Sequence, residues 1–237
     1  MHKKVLDYLP WIGLSILFAI PLLTAQRYLL HLLIMSMHYA IIVIGLNLVT
    51  GFTGQLSLGH AGLYGIGAYT SALLSTSIGV PFWFSVLMAA CVCAVAGVIL
   101  GAPSMRLRAQ YLLISTVAFG EIVFQIARNW DKVTKGPTGI RNIPLPDIAG
   151  FVLRTPASWY YLVLVFFLLA IWTATRIVNS HVGRALKGIR EEEIAAQVMG
   201  INTNYYKVLI FVVSAIYAGV AGSLYAHIIT FIAPDNF

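Results

Sequence analysis

Seven stretches of this sequence are long and apolar enough to compete for the interior of a lipid bilayer. They cover residues 11–24, 28–49, 56–77, 82–101, 109–127, 159–175 and 208–231; the first is short and carries Pro21. A bilayer-spanning helix needs about 20 mostly apolar residues. With no water in the hydrocarbon, every backbone N–H and C=O must be satisfied internally, which leaves helices or closed barrels. Continuous runs of this length, without strand-like alternation, predict helices. The expected fold is therefore an all-α, polytopic integral membrane bundle of about seven spans, a single transmembrane domain over residues 1–237.

Composition agrees. Charged residues make up 10% of the chain and hydrophobic ones 59%, with a mean hydropathy of +0.86. Soluble domains carry roughly 25% charged residues, so this chain lacks the polar surface to face water. Its net charge of +7 does not point to nucleic acid. Lys and Arg fall in the connections, where they anchor loops at anionic lipid surfaces. Cys91 and Cys93 sit on different helical faces of an apolar run with no second ligand pair, so no metal site is expected. The start, "MHKKVLDYLPWIGLSILFAIPLL", resembles a signal peptide, but no small-residue cleavage site follows and further spans do; it reads as a retained first helix.

With the N-terminus inside, nine Lys and Arg residues lie on the inner side and six on the outer. The asymmetry favours a cytoplasmic N-terminus, with the 128–158 connection outside and the 176–207 connection inside. Small residues recur at helical spacing in two spans, as Ser57, Ala61, Gly65, Ala68, Ala72 and Ser75, and as Ala215, Gly219, Gly222 and Ala226. Lipid tails give helices no hydrophobic reason to associate, so small residues that admit close backbone approach mark contact faces.

Packing does not account for "GFTGQLSLGH". Gly51, Gly54 and Gly59 each weaken a helix, and Thr53 and Ser57 compete for its backbone bonds. Irregular backbone at membrane depth survives only when buried in protein or beside a wet cavity. The stretch is either a tight turn between two spans or a yielding element of a translocation path, with Gln55, Ser57, Gly59, His60 and Tyr64 as its candidate residues. Glu121, alone in "STVAFGEIVFQIA", joins them, because a charge inside a span is costly and faces a cavity or partner. The other reading places Glu121 near the interface, capping or snorkelling.

The 180–205 segment reads differently. Ser180 can cap a helix start and Gly200 can end it. The helix between them is too polar to span. It is either a solvated connection with Glu191, Glu192 and Glu193 as its wet side, or a surface helix whose Ala195–Ala196 patch seats in another protein's groove. No GxxxxGK[ST] phosphate loop occurs: "GFTGQLS" lacks the Lys and "GVAGSLY" lies in a span. No catalytic Ser/His/Asp or paired carboxylate set stands out in the loops either, so no chemistry of the chain's own is expected.

Three motifs, in order, carry a family resemblance: "GLNLVTGFTGQLSLGHAGLYGIGAYTSALL", "STVAFGEIVFQIARNW" followed by "GPTGI", and "GRALKGIREEEIAAQVMGI". Together, from about Gly45 to the end of the chain, they resemble the branched-chain amino acid ABC importer permeases of the LivM type. Lys135 stands where the family tends to have another Gly. The resemblance implies a permease subunit of a bacterial inner membrane importer for leucine, isoleucine or valine. It would work with a second homologous permease, two cytoplasmic ATPase subunits and a periplasmic binding protein. ATP and magnesium would be held by the ATPases and no cofactor by this chain. Gly183, Arg184, Glu193, Ala195, Ala196 and Gly200 would form the ATPase-coupling segment, although Ile194 separates Glu193 from the Ala-Ala-x-x-x-Gly core. Family members continue past "FIAPDNF" with further spans, so the resemblance also implies a shortened chain. Two rivals remain at this level. One is a secondary carrier driven by an ion gradient, with Glu121 and His60 handling a proton; the other is a membrane scaffold without transport.

Overall fold

The computed structural model describes residues 17–21, 26–104, 109–148 and 151–237. The expected first span lies mostly outside them; residues 17–21 are helical. Five described helices are long and apolar enough to cross a membrane: α1 (Arg27–Thr53), α3 (Phe82–Ser104), α4 (Ala109–Asn129), α6 (Pro156–Val178) and α9 (Thr203–Ile229). Between α1 and α3 lies the shorter α2 (His60–Leu73), prolonged by a π turn at Leu74–Ile78. The one-turn α5 (Asp131–Thr134) follows α4, and α7 (His181–Glu191) and α8 (Glu193–Val198) join α6 to α9. Two two-stranded antiparallel ribbons decorate the helical architecture: β1 (Ile140–Arg141) with β4 (Phe231–Ile232), and β2 (Asp147–Ile148) with β3 (Phe151–Val152).

The third expected span, 56–77, is corrected at its start. Gly54 takes φ +71°, a left-handed conformation that ends α1, and α2 begins only at His60. The Leu58 N–H donates to the Thr116 side chain of α4 (3.1 Å) rather than to a helical carbonyl. Burial along this bridge alternates, with Gln55, Ser57 and Gly59 inward and Leu56 and Leu58 outward. Such a period of two belongs to extended backbone.

α9 is the centre of the bundle. Of its most apolar stretch 61% is buried, against 17% for α4, which therefore lies at the periphery. α9 runs parallel to α2, since His60 meets Ser214 and Ser71 meets His227. It runs antiparallel to α3, where Gly97 faces Ala215 and Gly219 faces Cys93. The stripe expected on α9 is real. A Cβ on Gly219 would stand 2.7 Å from that of Cys93, and one on Gly222 2.8 Å from the Ala68 nitrogen. The stripe expected on α2 holds at the buried Ala68, Ala72 and Ser75 and fails nearer the start of the helix. Its tightest contact is Gly67, where a Cβ would come within 2.5 Å of the Gly219 carbonyl oxygen, whereas Gly65 and Ala61 line a cavity. Ser57 lies off the helix altogether.

Polar rungs cross this apolar core. Ser223 donates to Ser71 (2.7 Å), Ser71 is bonded to His227 Nε2 (3.0 Å), and His227 Nδ1 donates to the Pro144 carbonyl (2.7 Å). Lower down, His38 on α1 is bonded to the Tyr64 hydroxyl (3.0 Å). Paired in this way, Ser71, Ser223 and His227 escape the penalty of an unmet polar group, while His38 keeps its Nδ1 without a partner.

Candidate functional site

The expected site residues separate into three places. Gln55, Ser57 and His60 form one buried cluster at the α1–α2 break. The Thr53 hydroxyl donates to the Val49 carbonyl (2.6 Å), and Gln55 Oε1 lies 3.4 Å from the same hydroxyl. His60 Nδ1 is bonded to Ser57 (3.1 Å) and its Nε2 to Ser214 of α9 (2.5 Å). Tyr64 lies one turn along the same face, packed on His38 and Tyr225. Gly59 abuts α4, where a Cβ would stand 2.9 Å from the Thr116 carbonyl oxygen.

Glu121 is elsewhere. It is exposed on α4, and it lines a cavity of about 270 Å³ with Ala61, Gly62, Gly65 and Tyr69 of α2 and Phe237. At 100° per residue, 60, 64, 67 and 71 share one face of α2, turned to α1 and α9, while 61, 62, 65 and 69 share the other. His60 and Glu121 are therefore separated by the helix they would have to act across.

The third place is the surface segment. Ser180 does cap α7, its hydroxyl accepting from the Val182 N–H at 3.1 Å, and Gly200 does close α8 at φ +83°. There the Ile201 N–H donates to the Ala196 carbonyl (3.0 Å) and the Gly200 N–H to that of Gln197 (2.9 Å), the paired closure of a Schellman cap. The single expected helix is corrected to two, because Glu192 is extended (φ −156°, ψ 107°) and starts α8 anew with its own carbonyl accepting from Ala196. Gly183 is buried so closely on the Val178 backbone that a side chain has no room. Arg184 is exposed.

The Ala195–Ala196 patch is also corrected. Ala196 is buried against the chain's own fold, and only Ala195 faces out. The outward apolar surface is instead Ile194, Val198 and Met199, 70%, 82% and 81% exposed. Glu193 is partly exposed and pairs with Lys207 of α9 at 2.5 Å. Gln197 adds a bond to Thr203 (3.0 Å). On the other side Arg190 donates to the Gly51 carbonyl and Lys187 lies over the Phe52 ring, 5.9 Å from its centroid. The segment thus grips the end of α1, where the broken stretch begins, and the start of α9, which holds His60.

Sequence reasoning passed over His38, Ser71, Ser214, Ser223, His227, Gln125 and Asn129. Their signal was available: polar residues inside otherwise apolar spans, at four-residue steps in Gln125 and Asn129 and in Ser223 and His227. Among the described residues no group of His, Cys, Asp and Glu could hold a metal ion.

The family described as branched-chain amino acid transport system / permease component matches residues 28–237. The chain belongs to this family. It is 37% identical over 226 residues to the high-affinity branched-chain amino acid transport system permease protein LivM of Salmonella typhimurium (strain LT2), and 36% identical to that of Escherichia coli (strain K12). Each match covers 86% of this chain and 53% of the relative, so the chain spans about half the length of these permeases. The permease protein LivH of Escherichia coli (strain K12) is 27% identical over 212 residues, 78% of this chain and 65% of the relative. No solved structure matches the chain. The three sequence motifs that suggested this family fall within the matched residues.

Proposed function

We propose that the chain is a permease subunit of an ATP-driven importer that carries leucine, isoleucine or valine across a bacterial inner membrane. It forms the path together with a second homologous permease. Two cytoplasmic ATPase subunits supply the free energy, holding ATP and magnesium, and a periplasmic binding protein delivers the substrate. The substrate class rests on the family and on the names of its relatives.

The mechanism rests on one observation: the α7–α8 segment binds, through Arg190 and Glu193, the end of α1 just before the broken stretch and the start of α9, whose Ser214 bonds His60 just after it. A surface segment pushed by an ATPase would move the end of α1 and the start of α9 together. The bridge 54–59, held by few backbone bonds, takes up the displacement. Ile194, Val198 and Met199 supply the apolar contact for such a partner. Apolar surface of this kind at a membrane boundary marks an interaction site. Gln55, Ser57, Gly59 and His60 then act as the hinge of the path and Glu121 as part of its lining.

An ion-gradient carrier gains no support, because α2 stands between Glu121 of α4 and His60. The experiment is purification of the chain in detergent with identification of its partners, followed by reconstitution. Expected are an ATPase and a second permease in the complex, and leucine uptake that requires internal ATP and survives a protonophore. Uptake without an ATPase, abolished by the protonophore, would overturn the reading.

A further inference from the structure

Resting on the importer reading, we propose that Glu121, Gln125 and Asn129 form the part of the path that recognises the substrate's α-ammonium group, with the adjoining cavity taking its side chain. The three lie one turn apart on α4 and are exposed. Gln125 Nε2 donates to Glu121 Oε1 at 2.7 Å; Asn129 Nδ2 donates to the Gln125 carbonyl at 2.8 Å and to its Oε1 at 3.3 Å. α4 has the composition of a membrane span. A charge at the centre of such a helix costs about 2.5–3.5 kcal/mol on insertion scales, and two amides beside it add to that. This face belongs against water or a polar ligand, not against lipid tails.

The chemistry of the ladder selects a cation. Gln125 occupies one lone pair of the carboxylate, which retains further acceptor sites. Among the described residues no ion pair is formed by Glu121. The nearby Arg128 turns instead over the Phe124 ring, 5.9 Å from its centroid. An ammonium group on a substrate supplies that pairing, Gln125 offers its carbonyl oxygen to another of the N–H groups, and Asn129 holds Gln125 in place.

The cavity selects the rest of the molecule. Its about 270 Å³ lies at the small end of ligand sites, which suits one small solute. Its walls are Gly62, Gly65 and Gly120, which let a substrate approach the backbone, and Phe124 and Phe237, which suit an aliphatic chain. Tyr69 stands on the same wall, 7% exposed, and its hydroxyl makes no hydrogen bond. It is an unmet donor closed off from solvent, which a substrate carboxylate reaches when the ring turns. A zwitterion with a short aliphatic side chain satisfies all three features; a neutral sugar or an anion leaves Glu121 unanswered.

The test uses the assembled transporter in proteoliposomes with saturating leucine-loaded binding protein. For Glu121→Gln the leucine imported per ATP hydrolysed should fall at least tenfold, and for Glu121→Leu further. Stimulated ATP hydrolysis and co-purification of the second permease should stay within twofold of wild type. Tyr69→Phe should lower import less than either. A diazirine analogue of leucine should label peptides carrying residues 61–69 or 120–127 in the wild type, and lose that label in Glu121→Leu. The same diazirine on the acid lacking the amino group should not label them. Wild-type leucine import with unchanged Glu121 variants overturns the assignment. So does loss of the second permease from well-inserted variants, which would make this face a subunit contact. A wild-type transporter that imports no leucine refutes the importer reading instead.

Discussion

Gly59 and Gly120 face each other's helices, yet they tolerate change differently. Gly59 has an ordinary backbone (φ −81°), so its lack of a side chain serves contact: a Cβ would stand 2.9 Å from the Thr116 carbonyl oxygen and 3.5 Å from Leu100. A Cβ at Gly120 would meet nothing within 4 Å. Overpacking costs about 1–3 kcal/mol, whereas Gly to Ala in a helix gains about 0.5–1 kcal/mol. Gly59→Val should therefore lower the thermal unfolding midpoint in detergent and reduce transport, while Gly120→Ala leaves the midpoint unchanged or raises it. The reverse order would show that α2 and α4 do not pack as described. At this scale the sequence was only partly legible. Spacing identified Gly219 and Gly222 as contact residues, but the α2 stripe was phased from Ser57, a residue outside the helix, and so pointed at Gly65 instead of Gly67. Whether a glycine faces a helix or a cavity depends on the neighbour, which spacing along one helix does not contain.

The α7–α8 segment shows the same limit at the scale of elements. Its ends were readable because caps are local: Ser180 and Gly200 act on backbone within a few residues. Its interior was not, since the break at Glu192 and the inward turn of Ala196 are set by the pull of Lys207 on Glu193 and by packing on α9. Gly200→Val should disturb the cap by about 1–2 kcal/mol through left-handed strain alone, because a Cβ there has open space around it. Gly200→Asn, which tolerates that conformation, should keep the co-purifying ATPase that Gly200→Val weakens. Equal co-purification for both would remove the cap from the docking surface. Ala196→Arg would unseat α8 from its own protein, so the sharper probe of docking is Val198→Asp, which should lose the ATPase while the permease stays folded. Arg190→Ala addresses the link rather than the surface. It removes the bond to the Gly51 carbonyl, so ATP hydrolysis should continue while import per ATP drops several-fold; unchanged coupling would make that bond ornamental.

For the whole molecule, the directions of the helices fix which connections share an end. α2, α4 and α9 run one way, as the His60–Ser214 and Ser71–His227 bonds and the approach of Gly59 to Thr116 and of Gly62 to Gly120 require. α1 and α6 run the other way, with Arg27 and Arg154 lining one pocket at their starts. The 54–59 bridge and the α7–α8 segment consequently lie at one end, and residues 130–155 with the β1–β4 ribbon at the opposite end. This matches the grouping of connections expected from hydropathy, which was legible because each span must reverse the last. What hydropathy counted less well was α2, a short helix with a broken entrance. The orientation itself is the remaining prediction. Lys187 and Thr138 are exposed at opposite ends, and the excess of basic residues places Lys187 in the cytoplasm. In a chain carrying Cys91→Ala and Cys93→Ala, Thr138→Cys should react with a membrane-impermeant maleimide in intact spheroplasts, and Lys187→Cys only after lysis. Cys93 packs against Gly219, so its replacement by the smaller Ala leaves that contact unstrained. The opposite labelling pattern would put α7 and α8 outside the cell, beyond the reach of any ATPase, and the coupling mechanism would fall with it.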